Sequence, residues 1–201
     1  MSVNPDTFSG GFANPVFESQ SVFKAIMDGM ARPGTIQTIG PEIAPPAPLG
    51  IAAGAIALTL CDHETPVWLS ASLAKSALPA WLAFNTGAAL GDKLEARFVF
   101  LEDGTMLSSF SQFASGSQEY PDRSATIVLE VKALEGGRPL ALSGPGIRDI
   151  ATIAPIGLPE SFLRLWNDNR AIFPRGADIV LTAGKHFVCL SRTTKITATE
   201  I

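Results

Sequence analysis

The sequence predicts an α/β fold with a mixed sheet flanked by helices, and three observations carry that prediction. Apolar runs of strand length alternate along the chain with stripes at helical spacing, the order expected of α/β folds. Two pairs of strand-like runs are separated only by the short turns Glu135-Gly136-Gly137 and Ala183-Gly184-Lys185, which leave no room for a crossover, so the sheet is not purely parallel. The hydrophobic share is 46% against 17% charged residues, a bias that buried sheet and subunit contacts both produce.

The first element is a helix over 19–30, with Val22, Phe23, Ile26, Met27 and Met30 on one packing stripe, Ser19 or Ser21 as N-cap, and Pro33-Gly34 closing it. Arg32 sits where a cation complements the helix dipole. Residues 35–39, TIQTI, alternate as a strand does, and 41–48 are too proline-dense for a helix or a central strand, so they read as a rigid connection. The small residues over 49–60 suit a helix lying close to a sheet, and Thr65-Pro66 restarts the chain as a strand over 67–70.

Residues 73–84 have helical spacing, with Pro79 either kinking the helix or opening a new first turn. RFVFLE over 97–102 is a compact strand, and Asp103-Gly104 turns it toward a short helix over 105–113. From Ala125 the pattern becomes β-rich: ATIVLEVKAL, the Glu135-Gly136-Gly137 turn and RPLALSGPG read as a hairpin. Pro159 fits the first turn of a helix over 160–169, with Phe162, Leu163 and Trp166 inward. Three strands over 177–182, 186–191 and 194–199 finish the chain.

Length and charge bound the rest. At 201 residues the chain predicts one α/β domain over 1–201, with 1–14 as a flexible lead. A net charge of −4, with Lys and Arg scattered, leaves no basic footprint for nucleic acid and no polybasic membrane anchor. The first residues lack the basic start and apolar core of a signal peptide, and the longest apolar run, 49–61, is too short to span a bilayer. Cys61 and Cys189 are far apart and lack metal-type spacing. Together these predict a cytoplasmic protein with no membrane association.

The inventory for catalysis is thin. His63 and His186 are the only histidines; the Asp62-His63-Glu64 loop reads as solvated, and His186 as structural. No G-x-S-x-G elbow, P-loop or G-x-G-x-x-G fingerprint occurs, and the Ser/Gly-rich loop at 114–120 reads as a connection. Both cysteines lie in apolar runs, where a thiol behaves as a small hydrophobe. The six lysines fall on helix faces, turns and strand ends, unsuited to a buried Schiff base. The sequence therefore predicts no catalytic residue, cofactor or metal site.

Four cations at strand ends and turns are candidates for anion binding or for a subunit interface: Arg148, Arg175, Arg192 and Lys195. Arg148 follows the turn Ser143-Gly144-Pro145-Gly146-Ile147, which could present N–H groups to an anion but reads more simply as a strand-ending turn. Arg175, in Phe173-Pro174-Arg175-Gly176, could fork a phosphonate or pair with a carboxylate across an interface. Lys195 follows Thr193-Thr194, whose hydroxyls could share a phosphate or simply lie on a strand edge. Trp68, Trp81 and Trp166 read as core residues, with one available as an interface anchor.

Four segments recur in fixed order: LTLCDHETPVWLS at 58–70, LALSGPGI at 140–147, FPRGADIVLT at 173–182 and LSRTTK at 190–195. Together with the Arg32-Pro33-Gly34 turn they resemble the H subunit of the bacterial carbon–phosphorus lyase system, which breaks down phosphonates. The resemblance runs from the first helix to Lys195, and 1–14 and 41–48 have no counterpart in it. It implies a three-layer α/β fold similar to the core of pyridoxal-phosphate-dependent transferases, without the cofactor. It also implies an assembly with the G, I and J subunits, joined by K and, in the wider system, L, and a homodimer when isolated. The step implied is transfer of a phosphonate to the ribose of ATP with loss of adenine.

Two readings compete. One makes the chain a structural subunit with no active site of its own, which the thin catalytic inventory favours. The other makes it an independent anion-binding enzyme of phosphonate or phosphate ester metabolism, with the four cations gathered about a substrate.

Overall fold

A computed structural model describes residues 9–105 and 107–199. Its first helix, α1 (Pro15–Ala31), begins earlier than predicted. Pro15 opens it because a first-turn N–H needs no partner. Ser19 is inside the helix, its hydroxyl returning to Pro15 O at 2.5 Å, so neither it nor Ser21 is the cap. The predicted stripe also divides. Val22 and Ile26 are buried and Met30 packs beside them, whereas Phe23 and Met27 face outward with Val16 and Phe17.

The larger sheet has six strands: β1 (Ile36–Thr38), β2 (Val67–Leu69), β3 (Phe98–Leu101), β4 (Thr126–Glu130), β7 (Asp178–Ala183) and β8 (His186–Leu190). Their spatial order is β1-β8-β7-β4-β3-β2. β2, β3, β4 and β7 run parallel, and β8 runs antiparallel to both β7 and β1. The predicted mixed sheet is therefore present. A smaller antiparallel sheet holds β5 (Leu140–Ser143) between β6 (Ala151–Ile153) and β9 (Lys195–Ala198).

The strand period divides the core in two. Val67, Leu69, Phe100, Val128, Val180 and Phe187 point to a cluster shared with α1 and α2 (Ile51–Leu60). Val99, Leu101, Ile127, Leu129, Ile179 and Leu181 point to the opposite cluster, shared with α5 (Phe162–Ala171) and the smaller sheet. α2 packs closely because its buried stretch, Ala52-Ala53-Gly54-Ala55-Ile56-Ala57, is small at every position but Ile56. A Cβ on Gly54 would come within 2.7 Å of the Pro45 ring, so the proline-rich connection can lie directly on this helix.

Other expectations are met or corrected in turn. Pro79 opens a new first turn, separating α3 (Ala71–Lys75) from α4 (Leu78–Thr86). Residues 41–48 form neither helix nor strand. The predicted helix over 105–113 shrinks to one 3-10 turn at Phe110–Gln112, capped by the Ser109 hydroxyl; Met106 lies outside the described residues. The predicted hairpin is wrong: β4 is enclosed by β3 and β7, so no edge remains for β5, which joins the second sheet. The hairpin across Ala183-Gly184-Lys185 is right. In α5, Leu165 takes the fully inward position expected of Leu163.

Of the lead at 1–14, residues 1–8 lie outside the described residues. Ser9 O accepts the Trp81 indole N–H at 2.9 Å, and Gly10 O accepts Ala44 N–H at 3.0 Å. No helix among the described residues is long and apolar enough to cross a membrane.

Candidate functional site

Of the four candidate cations, Arg175 and Arg192 lie on loops at the end of the large sheet where β7 begins and β8 finishes, while Lys195 opens β9 of the smaller sheet and Arg148 follows the turn after β5. Arg192 leaves β8 and bends back. Its backbone N–H donates to Asp178 Oδ1 at 2.7 Å, Nε donates to the same oxygen at 3.2 Å, and its terminal nitrogens reach Asp178 Oδ2 at 2.5 Å and Pro121 O at 2.8 Å. Their side chains keep only 15% and 20% of their surface, so Arg192 is committed to its own fold. A further bond to Pro174 O at 3.4 Å ties it to the loop that carries Arg175.

Lys195 stands opposite Ser143 in the β5–β9 ladder. The following turn is closed by Ile147 N–H to Gly144 O at 3.1 Å, and a Cβ on Gly146 would come within 2.2 Å of Ala31 O, so the turn is pressed against the end of α1. Its glycines serve tight packing. Arg148, Arg175 and Lys195 are exposed and hold no ion pair among the described residues. The structure thus links Arg192 to the Arg175 loop and Lys195 to the turn before Arg148, while no direct contact joins the four charged heads.

Open α/β sheets ordinarily take ligands at the carboxyl ends of their parallel strands. In this chain those ends carry acids. Glu102, just beyond β3, accepts the hydroxyls of both Ser70 and Ser72, which follow β2. Glu130, at the end of β4, accepts Gly50 N–H at 2.9 Å and so caps α2 from another element. Burial, and to a smaller extent the neighbouring Asp103 charge, raise the Glu130 carboxyl above its ordinary value, and the Gly50 bond opposes them. Beside these groups lies a cleft of about 540 Å³ lined by Asp103, Thr105, Lys132, Glu160 and Ser161, among others. One Lys faces two carboxylates there, a poor field for a phosphonate or a triphosphate.

Neither Glu102 nor Glu130 stands in a recognisable motif. Only their position directly after an apolar run, where a parallel strand ends, could have marked them. The Asp62-His63-Glu64 loop is exposed, and Asp62 accepts Glu64 N–H and the Thr65 hydroxyl, which hold its carboxyl below the ordinary range. His186 meets Thr38 Oγ1 at 3.0 Å. Among the described residues no group of three or more His, Cys, Asp or Glu is placed to hold a metal ion. Burial lifts both thiols, Cys61 and Cys189, to about 12.

What remains exposed and distinctive is apolar. Val16, Phe17, Phe23 and Met27 form one outward row on α1, and Phe17, Phe23, Lys24 and Met27 border a groove of about 600 Å³. Trp81 and Trp166 are fully buried, and Trp68 lies under the Lys93 ammonium at 4.8 Å.

Residues 10–197 match the family described as bacterial phosphonate metabolism protein (PhnH). A Rhizobium meliloti (strain 1021) protein named alpha-D-ribose 1-methylphosphonate 5-triphosphate synthase subunit PhnH is 59% identical over 197 residues, 98% of either chain. A Stutzerimonas stutzeri protein named putative C-P lyase subunit protein HtxG is 32% identical over 101 residues, 50% of this chain and 51% of its own.

Proposed function

Because the chain belongs to the PhnH family of bacterial phosphonate metabolism proteins, we propose that it works as a subunit of the carbon–phosphorus lyase assembly rather than as a free-standing catalyst. Its place is in organophosphonate breakdown. The step it supports is the one in its relative's name, formation of ribose 1-methylphosphonate 5-triphosphate, in which phosphonate joins the ribose of ATP and adenine departs.

One observation carries the non-catalytic part of this reading. The carboxyl ends of the parallel strands, where an α/β sheet would take an anionic substrate, carry Glu102 and Glu130, the cleft beside them sets Asp103 and Glu160 against Lys132, and Arg192, one of the four candidate cations, is tied to Asp178. Charge of the wrong sign at the ligand end disfavours phosphonate and ATP alike. Arg148, Arg175 and Lys195 then serve as interface cations, meeting acidic groups of other subunits.

In finer terms, the chain acts as a single domain with a three-layer core akin to that of pyridoxal-phosphate-dependent transferases, stripped of the cofactor. It assembles in the cytoplasm with the G, I and J subunits, then with K, and works with L; alone it forms a homodimer. The test is anaerobic co-expression with G, I and J, affinity capture on this chain and native mass determination. Stoichiometric capture is the expected outcome. Emergence of this chain alone, while the other three assemble without it, would sink the reading.

A further inference from the structure

The chain treats the two outer edges of its larger sheet differently. At β2, Val67 N–H donates to Ala89 O at 2.9 Å and Val67 O accepts Gly91 N–H at 3.0 Å, so residues 89–91 cover that edge. At β1 no such cover exists among the described residues. Ile39 N–H donates to Lys185 O at 2.8 Å, and the register sets Gln37 against Phe187, which fixes the phase of the ladder. In an antiparallel pair the hydrogen-bonding residues alternate. Gln37 and Ile39 therefore turn their backbone groups toward β8, and Ile36 and Thr38 turn theirs outward.

A groove runs beside this open edge. Its halves, about 420 and 320 Å³, share Ile36, Leu134 and Glu135. His186 lies along one half and Ile153 of β6 along the other. The loop beneath is braced, since Lys132 N–H reaches Ile156 O at 2.9 Å and Gly137 N–H reaches Ala154 O at 2.7 Å. A braced groove beside an unpaired strand is preorganised for an occupant.

We propose that an extended segment of a companion subunit adds beside β1 as a seventh strand, with its alternate side chains in this groove. The proposal rests on the subunit reading above. Outward N–H and C=O groups on every second residue match the backbone of another strand. Ile36, 44% exposed, and Leu134 offer its side chains an apolar seat. A second copy of this chain is the wrong occupant. Its own β1 edge is bordered by the same 132–136 loop and β6, so two such edges meet wall against wall, whereas a free-standing segment carries no wall.

Two variants and one exchange measurement test this. Thr38→Pro removes an outward donor and leaves the ladder to β8 intact, and Ile36→Asp puts a charge at the seat. Each is co-expressed with the companion subunits, captured, and compared with wild type for yield and for the melting temperature of the isolated chain. In parallel, hydrogen exchange of the outward Ile36 and Thr38 amides is followed in the isolated chain and in the assembly.

The expected result is wild-type melting to within about 3 °C and capture reduced at least about tenfold, with slow exchange of the Ile36 and Thr38 amides in the assembly alone. Capture of both folded variants at wild-type yield overturns the proposal but leaves the subunit reading standing. Protection of the Ile36 and Thr38 amides already present in the isolated chain overturns it in favour of a second copy. If wild type itself is not captured, the subunit reading fails and this proposal with it. Should Thr38→Pro unfold, Ile36→Asp and the wild-type exchange decide.

Discussion

Asp178 receives three donors from one residue: the Arg192 backbone N–H at 2.7 Å, its Nε at 3.2 Å and a terminal guanidinium nitrogen at 2.5 Å. The pair ties the start of β7 to the turn after β8, and through Pro121 O and Pro174 O it gathers two further loops. Removing one member leaves the other charge largely buried. Asp178→Ala is expected to cost roughly 3 kcal/mol, read as a lowered midpoint of urea unfolding. Arg192→Lys should recover only part, because an ammonium cannot fork. A loss of a few tenths in both variants would assign the pair no structural weight.

Asn169, buried in α5, behaves as a piece of backbone. Its side-chain amide donates to Ala177 O at 2.9 Å, and its side-chain oxygen accepts Ala177 N–H at 2.8 Å. Asn169→Leu strands both groups of Ala177, at about 1–3 kcal/mol for each unsatisfied group. Asn169→Asp keeps the acceptor but loses the donor and buries a charge, so it should be the worse of the two at neutral pH. Equal stability of the two variants by denaturant titration would contradict this arrangement.

Glu130 gives the chain a pH signature. Burial raises its carboxyl above the ordinary 4.5 in the folded state, so the native protein holds that proton more tightly than the unfolded one. Its contribution is complete below the ordinary value and is lost as pH rises through the folded one. Glu130→Gln keeps an oxygen for Gly50 N–H and removes the titration. Unfolding free energies measured from pH 4 to about pH 7 should decline less with pH in the variant. Parallel curves for the two proteins would place the charge elsewhere.

Neither cysteine should behave as a reactive thiol. Cys61 and Cys189 are buried, and burial, with lesser help from Asp62 and Asp178 respectively, lifts both to about 12. A disulfide-exchange reagent at about pH 8 is expected to titrate almost no thiol in the native protein and both after denaturation. Rapid labelling of the folded chain would show an opening that the packing does not contain.

Local chemistry was legible in the sequence, and partnership across distance was not. Apolar runs located every strand of the larger sheet and Pro79 marked the first turn of α4, whereas Pro159, expected in the first turn of its helix, precedes α5, which begins only at Phe162. What failed depended on which edge a strand finds free. Nothing in ATIVLEVKAL says that β4 will be enclosed on both sides, so the Gly-Gly turn suggested a hairpin that the sheet cannot accommodate. β6 escaped notice because it pairs only with β5, in a second sheet that the order of elements along the chain does not announce. On α1 the periodicity found an apolar stripe but could not tell its buried half, Val22 and Ile26, from its outward half, Phe23 and Met27. Arg192 read as a free cation because Asp178 is brought to it by the β7–β8 hairpin, not by sequence adjacency.

The strand order has a consequence for the growing chain. Thr38 of β1 touches His186 of β8 across 148 residues of sequence, and β7, placed between β4 and β8, is made after every strand from β1 to β6. At synthesis rates of about 5–20 residues per second, the first strand waits several seconds or longer for its neighbour. Until β7 and β8 emerge, β1 has no ladder at all and β4 lacks one of its two. A ribosome stalled before Asp178 therefore holds an incomplete sheet with an unpaired edge, the state most open to wrong association.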